Sequence, residues 1–212
     1  VKLRLPVIAI EGVVCVGPKI ACSPYALAFL AGRGVSVSFV SRQGRFLARV
    51  QGPVHGNVLL RRKQYRLADD PEGAACIAAS AIVGKVTNCR NVLMRAARDH
   101  VEKIDGAAIE SAVDRMKQLL DSLSSPMSLD AIRGVEGEAA RYYFGAFDSL
   151  ITAQRERFSF KERSRRPPLD PVNAMLSFAY TLLAHDVAAA LETVGLDPQV
   201  GFLHRDRPGR PG

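Results

Sequence analysis

No run in this 212-residue chain is apolar for the length a membrane span needs, and no signal-peptide pattern opens it. The sequence therefore reads as neither membrane-spanning nor secreted. There is no C-x-x-C pair either. Cys15, Cys22, Cys76 and Cys89 are scattered, which argues against a disulfide or zinc framework and for reduced core thiols of a cytosolic protein. Internal repeats and low-complexity tracts are absent, which excludes a repeat array. Acidic residues are outnumbered: 21 Asp and Glu face 29 Lys and Arg, a net charge of +8 with a pI near 9.6. That balance favours a polyanionic partner, nucleic acid or a membrane surface. An initiator methionine is also missing. The chain opens on "VKLRLPVIAIEG", already patterned like a strand, and reads as a trimmed chain or a fragment.

What is present suffices for a folded protein. Hydrophobic residues make up 48% and charged residues 24%, so disorder is excluded and a core is available for one large domain or two small ones. Residues 1–52 are β-like: "LPVIAIEGVVCVG" and "GVSVSFV" are rich in β-branched residues, and Gln43-Gly44 separates the latter from "RFLARVQG" as in a hairpin, with Phe46 on its buried face. Between them "SPYALAFLAGRG" predicts a short helix capped by Ser23, with Pro24 at its first position and glycine at its close. Beyond "GPVHGN" the pattern turns helical. A basic stretch covers 57–68, and a long helix runs from Pro71 to Asp99 with the stripe Ala75, Ala79, Ile82, Val86, Leu93 and Ala97. Further helices are predicted near 106–123, 128–155 and 171–194, the last stopped by Gly195 and Pro198. The fold class is α+β: an N-terminal β-rich domain over 1–56, a basic helical junction over 57–70, and a larger all-helical domain over 71–212.

Within "GVEGEAARYYFGAF" one acid falls on the apolar side of a predicted helix. With Glu136 as reference, Ile132, Ala139, Ala140, Tyr143 and Phe147 lie within roughly sixty degrees of it, whereas Glu138 points about 200 degrees away, to water. An ionised carboxylate on such a face requires a partner: a cation, hydrogen-bond donors or a metal. Gly134 and Gly137 flank it, and each costs the helix about 1 kcal/mol against alanine. Their small size suits close approach of a backbone or ligand. The alternative is an ion pair with Arg133 or Arg141.

The segment "VGFLHRDRPGRPG" delivers His204 from a short apolar run to a basic, proline-rich loop. As a metal ligand, a general base or a phosphate contact it would be functional; otherwise it is a half-exposed surface histidine. His55, His100 and His185 have no convergent neighbours and read as structural. Lys161, Arg163, Arg165 and Arg166 form a cluster suited to phosphates, Asp170 caps the following helix, and Asn173 near its start is placed to orient the arginine loop. Arg61, Arg62, Lys63 and Arg66 form a second cluster. Each run is equally compatible with a solvated surface.

Together these segments resemble a known family. "LDAIRGVEGEAARYYF", "RRPPLDPVNAMLSFAYTLLAHD" and "VGLDPQVGFLHRDRPGRP" are similar to signature blocks of the CRISPR adaptation integrase, the metal-dependent endonuclease of spacer acquisition. "GRFLARVQGPVHGNVLLRRKQYRLADD" looks like its domain junction in the type I form. The resemblance implies an N-terminal β-domain, an all-helical catalytic domain, a homodimer through the β-domains, and a small ferredoxin-like adaptation partner in a prokaryotic cytoplasm. It also implies double-stranded DNA as substrate, with Lys161, Arg163, Arg165, Arg166, Arg61 and Arg62 on its phosphates. A Mg²⁺ or Mn²⁺ ion would be held by a glutamate matching Glu136, a histidine matching His204, and an aspartate. In the family that aspartate follows shortly after "RPGRP", where this sequence stops; Asp206 does not match its position. Two of three ligands are therefore expected here, as are the loss of the first strands and poor activity of the isolated chain. A non-catalytic dimeric DNA-binding scaffold is the alternative.

Overall fold

The computed structural model describes residues 3–50, 52 and 56–204. His55 and Asp206 lie outside the described residues. The protein is α+β, and the chain divides into two compact units: Val1–Gln64 with Phe178–Pro198, and Tyr65–Ser177 with Gln199–Gly212.

The first unit is built on a three-stranded sheet in the order β1-β2-β3, with β1 at Gly12–Val16, β2 at Ser36–Val40 and β3 at Phe46–Val50. β1 and β2 are parallel, as their connection by helix α1 (Pro24–Ala31) requires. Ser23 Oγ accepts from the Ala26 amide and Pro24 occupies the first turn, as the sequence predicts. β2 and β3 are antiparallel, and the turn between them is knotted by Ser41 Oγ, which accepts from the amides of Gln43 and Arg45. Gly44 takes a φ of 77° there, a region closed to most side chains. Cys15, Val35, Val37 and Val40 are buried. The apolar N-terminal stretch is only partly strand: residues Val7–Ala9 form a 3-10 turn, because Pro6 precedes them and no strand among the described residues pairs with them.

The C-terminal part of α6 (Pro171–Thr193) belongs to this unit. Arg49 of β3 donates to the His185 carbonyl at 3.0 Å and pairs with Glu192, while Phe46 stacks on the His185 ring at 3.8 Å. Gln64 and Asp197 exchange two hydrogen bonds, each 2.8 Å, through the buried Gln64 amide.

The second unit is helical. Its core lies among α3 (Pro71–Asp99), α4 (Gly106–Ser122) and α5 (Leu129–Ala146). Ile82, Val86 and Leu93 of α3, Ile109 and Met116 of α4, and Ile132, Val135 and Ala139 of α5 are all buried there. The helices start where short polar side chains cap them: Asp70, Asp105 and Ser128 each accept from the first free amides. α5 ends at Ala146, short of the predicted 155. A 3-10 turn over Phe147–Leu150 follows, and Asp148 leaves the helical ladder to accept from the Phe160 amide at 2.7 Å and to pair with Arg155 at 2.5 Å.

α6 departs from the sequence expectation in another respect. Over its best 18-residue window its mean hydropathy is 1.4, so by length and composition it is long and apolar enough to cross a membrane. Counting uninterrupted apolar residues misses it, because Asn173, His185 and Asp186 break the run. Two of its polar groups are engaged within the protein: Asn173 with the preceding loop and Glu192 with Arg49.

Candidate active site

Glu136 and Glu138 part company on α5, as the helical period requires. Glu138 sits at the surface, accepting from the Tyr142 hydroxyl at 2.8 Å and facing Arg141 at 3.5 Å. Glu136 has a side chain 22% exposed and receives the Lys85 ammonium of α3 at 2.5 Å. The acid on the apolar side is therefore in an ion pair. Its partner is neither Arg133 nor Arg141: Arg133 is drawn to Asp130 and to a backbone carbonyl, and Arg141 to Glu138.

Lys85 is the site residue that sequence reasoning missed. A signal exists, since Lys85 is the one charged residue between Glu72 and Arg90 on α3 and lies beside Val86 on the buried stripe. Its partner is 51 residues away, and no local spacing reports that. Among the described residues, nothing lies within 4 Å of the position a Cβ would take on Gly134 or Gly137. Among those residues no backbone packs on them.

The His204 segment is fastened to the same helix. Arg133 Nε donates to the Leu203 carbonyl at 2.8 Å, and Phe202 and Leu203 pack against the helical core. His204 itself is exposed on the wall of an open cleft of about 1480 Å³, whose other walls are the first half of α3, the 123–128 loop and the start of α5. Asp130 and Arg133 line this cleft; Glu136, about one turn further along α5, faces Lys85 instead.

The basic clusters divide into outward and inward members. Lys161, Arg165, Arg166 and Arg62 are exposed. Arg163 is turned inward, and its guanidinium donates to Asn173 Oδ1 at 2.8 Å, to Ser177 Oγ at 3.2 Å and to the Ser164 carbonyl at 2.5 Å. Asn173, fully buried, also accepts from the Ser164 amide and donates to the Glu162 carbonyl and to Asp170. Burial alone would raise the Asp170 pKa, but the Asn173 bonds outweigh it and hold the carboxyl below its usual range. The expectation that Asn173 orients this loop matches that geometry, with Arg163 as part of the scaffold. Arg61 is similarly committed through Nε to the Gly195 carbonyl at 3.1 Å.

A model of the family described as CRISPR associated protein Cas1 matches residues 1–212. The chain belongs to the Cas1 family. It is 50% identical over 210 residues to a CRISPR-associated endonuclease Cas1 of Chlorobaculum tepidum, covering 99% of this chain and 61% of that relative. A relative of the same description from Rhodospirillum rubrum is 51% identical over 214 residues, again with 61% of its length covered. The chain thus spans less than two thirds of the curated relatives it matches. Among solved structures, a casposase bound to integration product has a TM-score of 0.75 and 27% identity over 95% of this chain and 54% of its own.

Membership of the Cas1 family implies a divalent ion. In kind, a carboxylate and an imidazole suit Mg²⁺ or Mn²⁺. In number they fall short. Among the described residues no three His, Cys, Asp or Glu side chains are grouped to hold one ion, and Glu136 already carries an ammonium. The described residues do not by themselves make a metal site.

Proposed function

We propose that this chain is the body of a metal-dependent DNA endonuclease and integrase that inserts new spacers into a CRISPR array. One observation carries the reading: Arg133 fastens the segment bearing His204 to the helix that bears Glu136. One hydrogen bond thereby ties the segment bearing His204 to the helix bearing Glu136. The substrates are double-stranded DNA, both the captured fragment and the repeat. A Mg²⁺ or Mn²⁺ ion would need donors beyond Glu136 and His204, and the setting is a prokaryotic cytoplasm.

In the reaction the 3′-hydroxyl oxygen of the fragment bonds to a repeat phosphorus. The repeat's own P–O bond breaks, and its oxygen leaves as a new 3′-hydroxyl. The number of phosphodiester bonds is conserved, so no external energy source enters. The exposed Lys161, Arg165, Arg166 and Arg62 contact phosphates with little base readout, while Arg163 and Arg61 act on DNA through the loops they brace. A homodimer through the β-domains and a ferredoxin-like adaptation partner complete the assembly. That partner is consistent with the Cas6-RT-Cas1–Cas2 complex, whose matched chain shares 26% identity at a TM-score of 0.64, over 93% of this chain and 21% of its own.

Strand transfer into a supercoiled plasmid carrying a repeat, with Mn²⁺, tests the reading. Glu136→Gln and His204→Ala should abolish transfer while leaving salt-sensitive DNA binding intact. Transfer undiminished in both variants would overturn it. The occupied carboxylate favours one second reading, a non-catalytic dimeric DNA-binding scaffold. Tight DNA binding with no transfer by the unaltered protein would select that alternative.

A further inference from the structure

The cysteines of this chain are not equally placed. Cys76 and Cys89 lie on α3, and the rise of an α-helix over that spacing puts about 20 Å between them. They cannot join one another. Cys15 and Cys22 belong to the first unit, seven positions apart across a reversal of the chain. Cys15 is the buried residue of β1, 6% exposed, between the exposed Val14 and Val16. Alternation along the strand therefore turns its thiol away from the solvent side. After Val16 the chain bends back. Gly17 takes a φ of 104°, and its amide donates to the Val40 carbonyl at 2.8 Å. The connection returns the half-buried Cys22 to β1, immediately before Ser23 caps α1. There the thiols of Cys15 and Cys22 share a side-chain hydrogen bond. No C-x-x-C spacing announces this pair; the turn at Gly17 makes it.

We propose that Cys15 and Cys22 form a reversible thiol–disulfide site whose oxidant is a peroxide. The two sulfurs have different parts in it. Burial, and then the neighbouring Cys22, push the Cys15 thiol above its ordinary pKa, so Cys15 is the inert partner until Cys22 has reacted. Peroxide meets the more accessible Cys22 first. That sulfur takes one oxygen and becomes a sulfenic acid, and a water leaves. The Cys15 sulfur then attacks the Cys22 sulfur. The S–O bond breaks, the S–S bond forms, and the second water carries off the Cys15 proton. Two thiols have lost two electrons and two protons, and the peroxide has become two waters. A thiol reductant reverses the change by exchange. The bond ties β1 to the start of α1, and nothing in it depends on the integrase reading.

Hydrogen peroxide is the probe, added to the reduced full chain under native conditions. Remaining thiols are then alkylated and the protein is cut with trypsin. Cleavage after Lys19 falls between the two cysteines, so a bond between them holds residues 5–19 and 20–33 together. The linked species should weigh less than the two peptides by two hydrogens, and dithiothreitol should abolish it. Cys89 should keep its thiol throughout, because burial pushes its pKa up as well. Absence of the linked species overturns the proposal, as does Cys22 joined instead to Cys76 or to a second molecule.

Two variants separate the roles. Cys15→Ser removes the resolving sulfur, so Cys22 should stop at the sulfenic acid and take up dimedone several-fold more than in the unaltered protein. Equal labelling overturns the sequence of steps. Cys22→Ser should leave Cys15 a thiol through the same treatment; its oxidation at the unaltered rate would show that the two sulfurs act separately. The last measurement needs no variant. The oxidised protein should melt above the reduced one, because the bond restricts the unfolded chain. A lower melting point would mean that the fold must distort to close the bond, and overturns the site.

Discussion

Arg133 Nε donates to the carbonyl of Leu203 at 2.8 Å, while the same guanidinium pairs with Asp130 one turn back on α5. The bond crosses 70 residues of sequence and fixes where the segment bearing His204 meets the helical core. Its neighbours Phe202 and Leu203 supply apolar contact, and Arg133 supplies direction. Arg133→Ala should cost about 1–2 kcal/mol, the range for a charge-assisted bond to a backbone carbonyl. Amide exchange near residues 202–204 should accelerate, and strand transfer should fall with it. Unchanged exchange in that segment would show that packing alone holds it.

Asn173 gathers Arg163, Ser164, Glu162 and Asp170 around one fully buried amide. Asn173→Ala should destabilise the protein by about 3 kcal/mol, since several buried groups lose partners at once. DNA affinity should also drop, although no exposed cation has been removed. Denaturant melts and DNA titration at fixed salt check both halves.

The exposed cations behave differently. Replacing Lys161, Arg165, Arg166 or Arg62 by Gln should leave the melting point unchanged. Each replacement should reduce the slope of log affinity against log salt by about 0.9. Arg163→Gln should lower the melting point instead, because its guanidinium bonds to Asn173 and Ser177.

Gly134 and Gly137 are both exposed in the middle of α5, and no described residue lies where a Cβ would stand. Gly137→Ala should therefore stabilise the protein by about 0.5–1 kcal/mol through helix propensity alone. Under the integrase reading, strand transfer should decline as the melting point rises. A lower melting point would reveal a contact on that face.

His185 gives the first unit a dependence on pH. Burial pushes its pKa below the ordinary 6.5, and the nearby Arg49 charge adds to that, against a weaker pull from Asp186. Above 6.5 the ring is neutral folded or unfolded, and pH has no effect through it. Below 6.5 the unfolded chain takes up the proton first, so stability falls with pH until the folded-state pKa is reached. Melting points from about pH 7.5 to 5 should fall more steeply for the unaltered protein than for His185→Gln. Parallel slopes would mean that the ring titrates freely.

Local signals carried far here because each acts within a turn or two of chain. Ser23 with Pro24, Asp70 with Pro71, and Ser128 start their helices by capping amides two or three residues away. The separation of Glu136 from Glu138 follows from the helical period alone. Where local chemistry was read too simply, the boundary moved: nothing in "FDSL" breaks a helix by propensity, yet Asp148 accepts from the distant Phe160 amide and α5 stops.

The partners of the charged groups were decided elsewhere. An acid on an apolar face announces that it requires a partner, and the sequence cannot say whether Lys85, an arginine or an ion provides it. Which side chain arrives depends on the faces α3 and α5 present when their buried stripes interlock, set by Ile82, Val86, Ile132 and Val135 together. The same holds for Arg163, which reads like its cationic neighbours and is drawn inward because the loop places a buried amide within its reach. Spacing along the chain fixed the helices and their faces; only packing across the chain chose which charges meet.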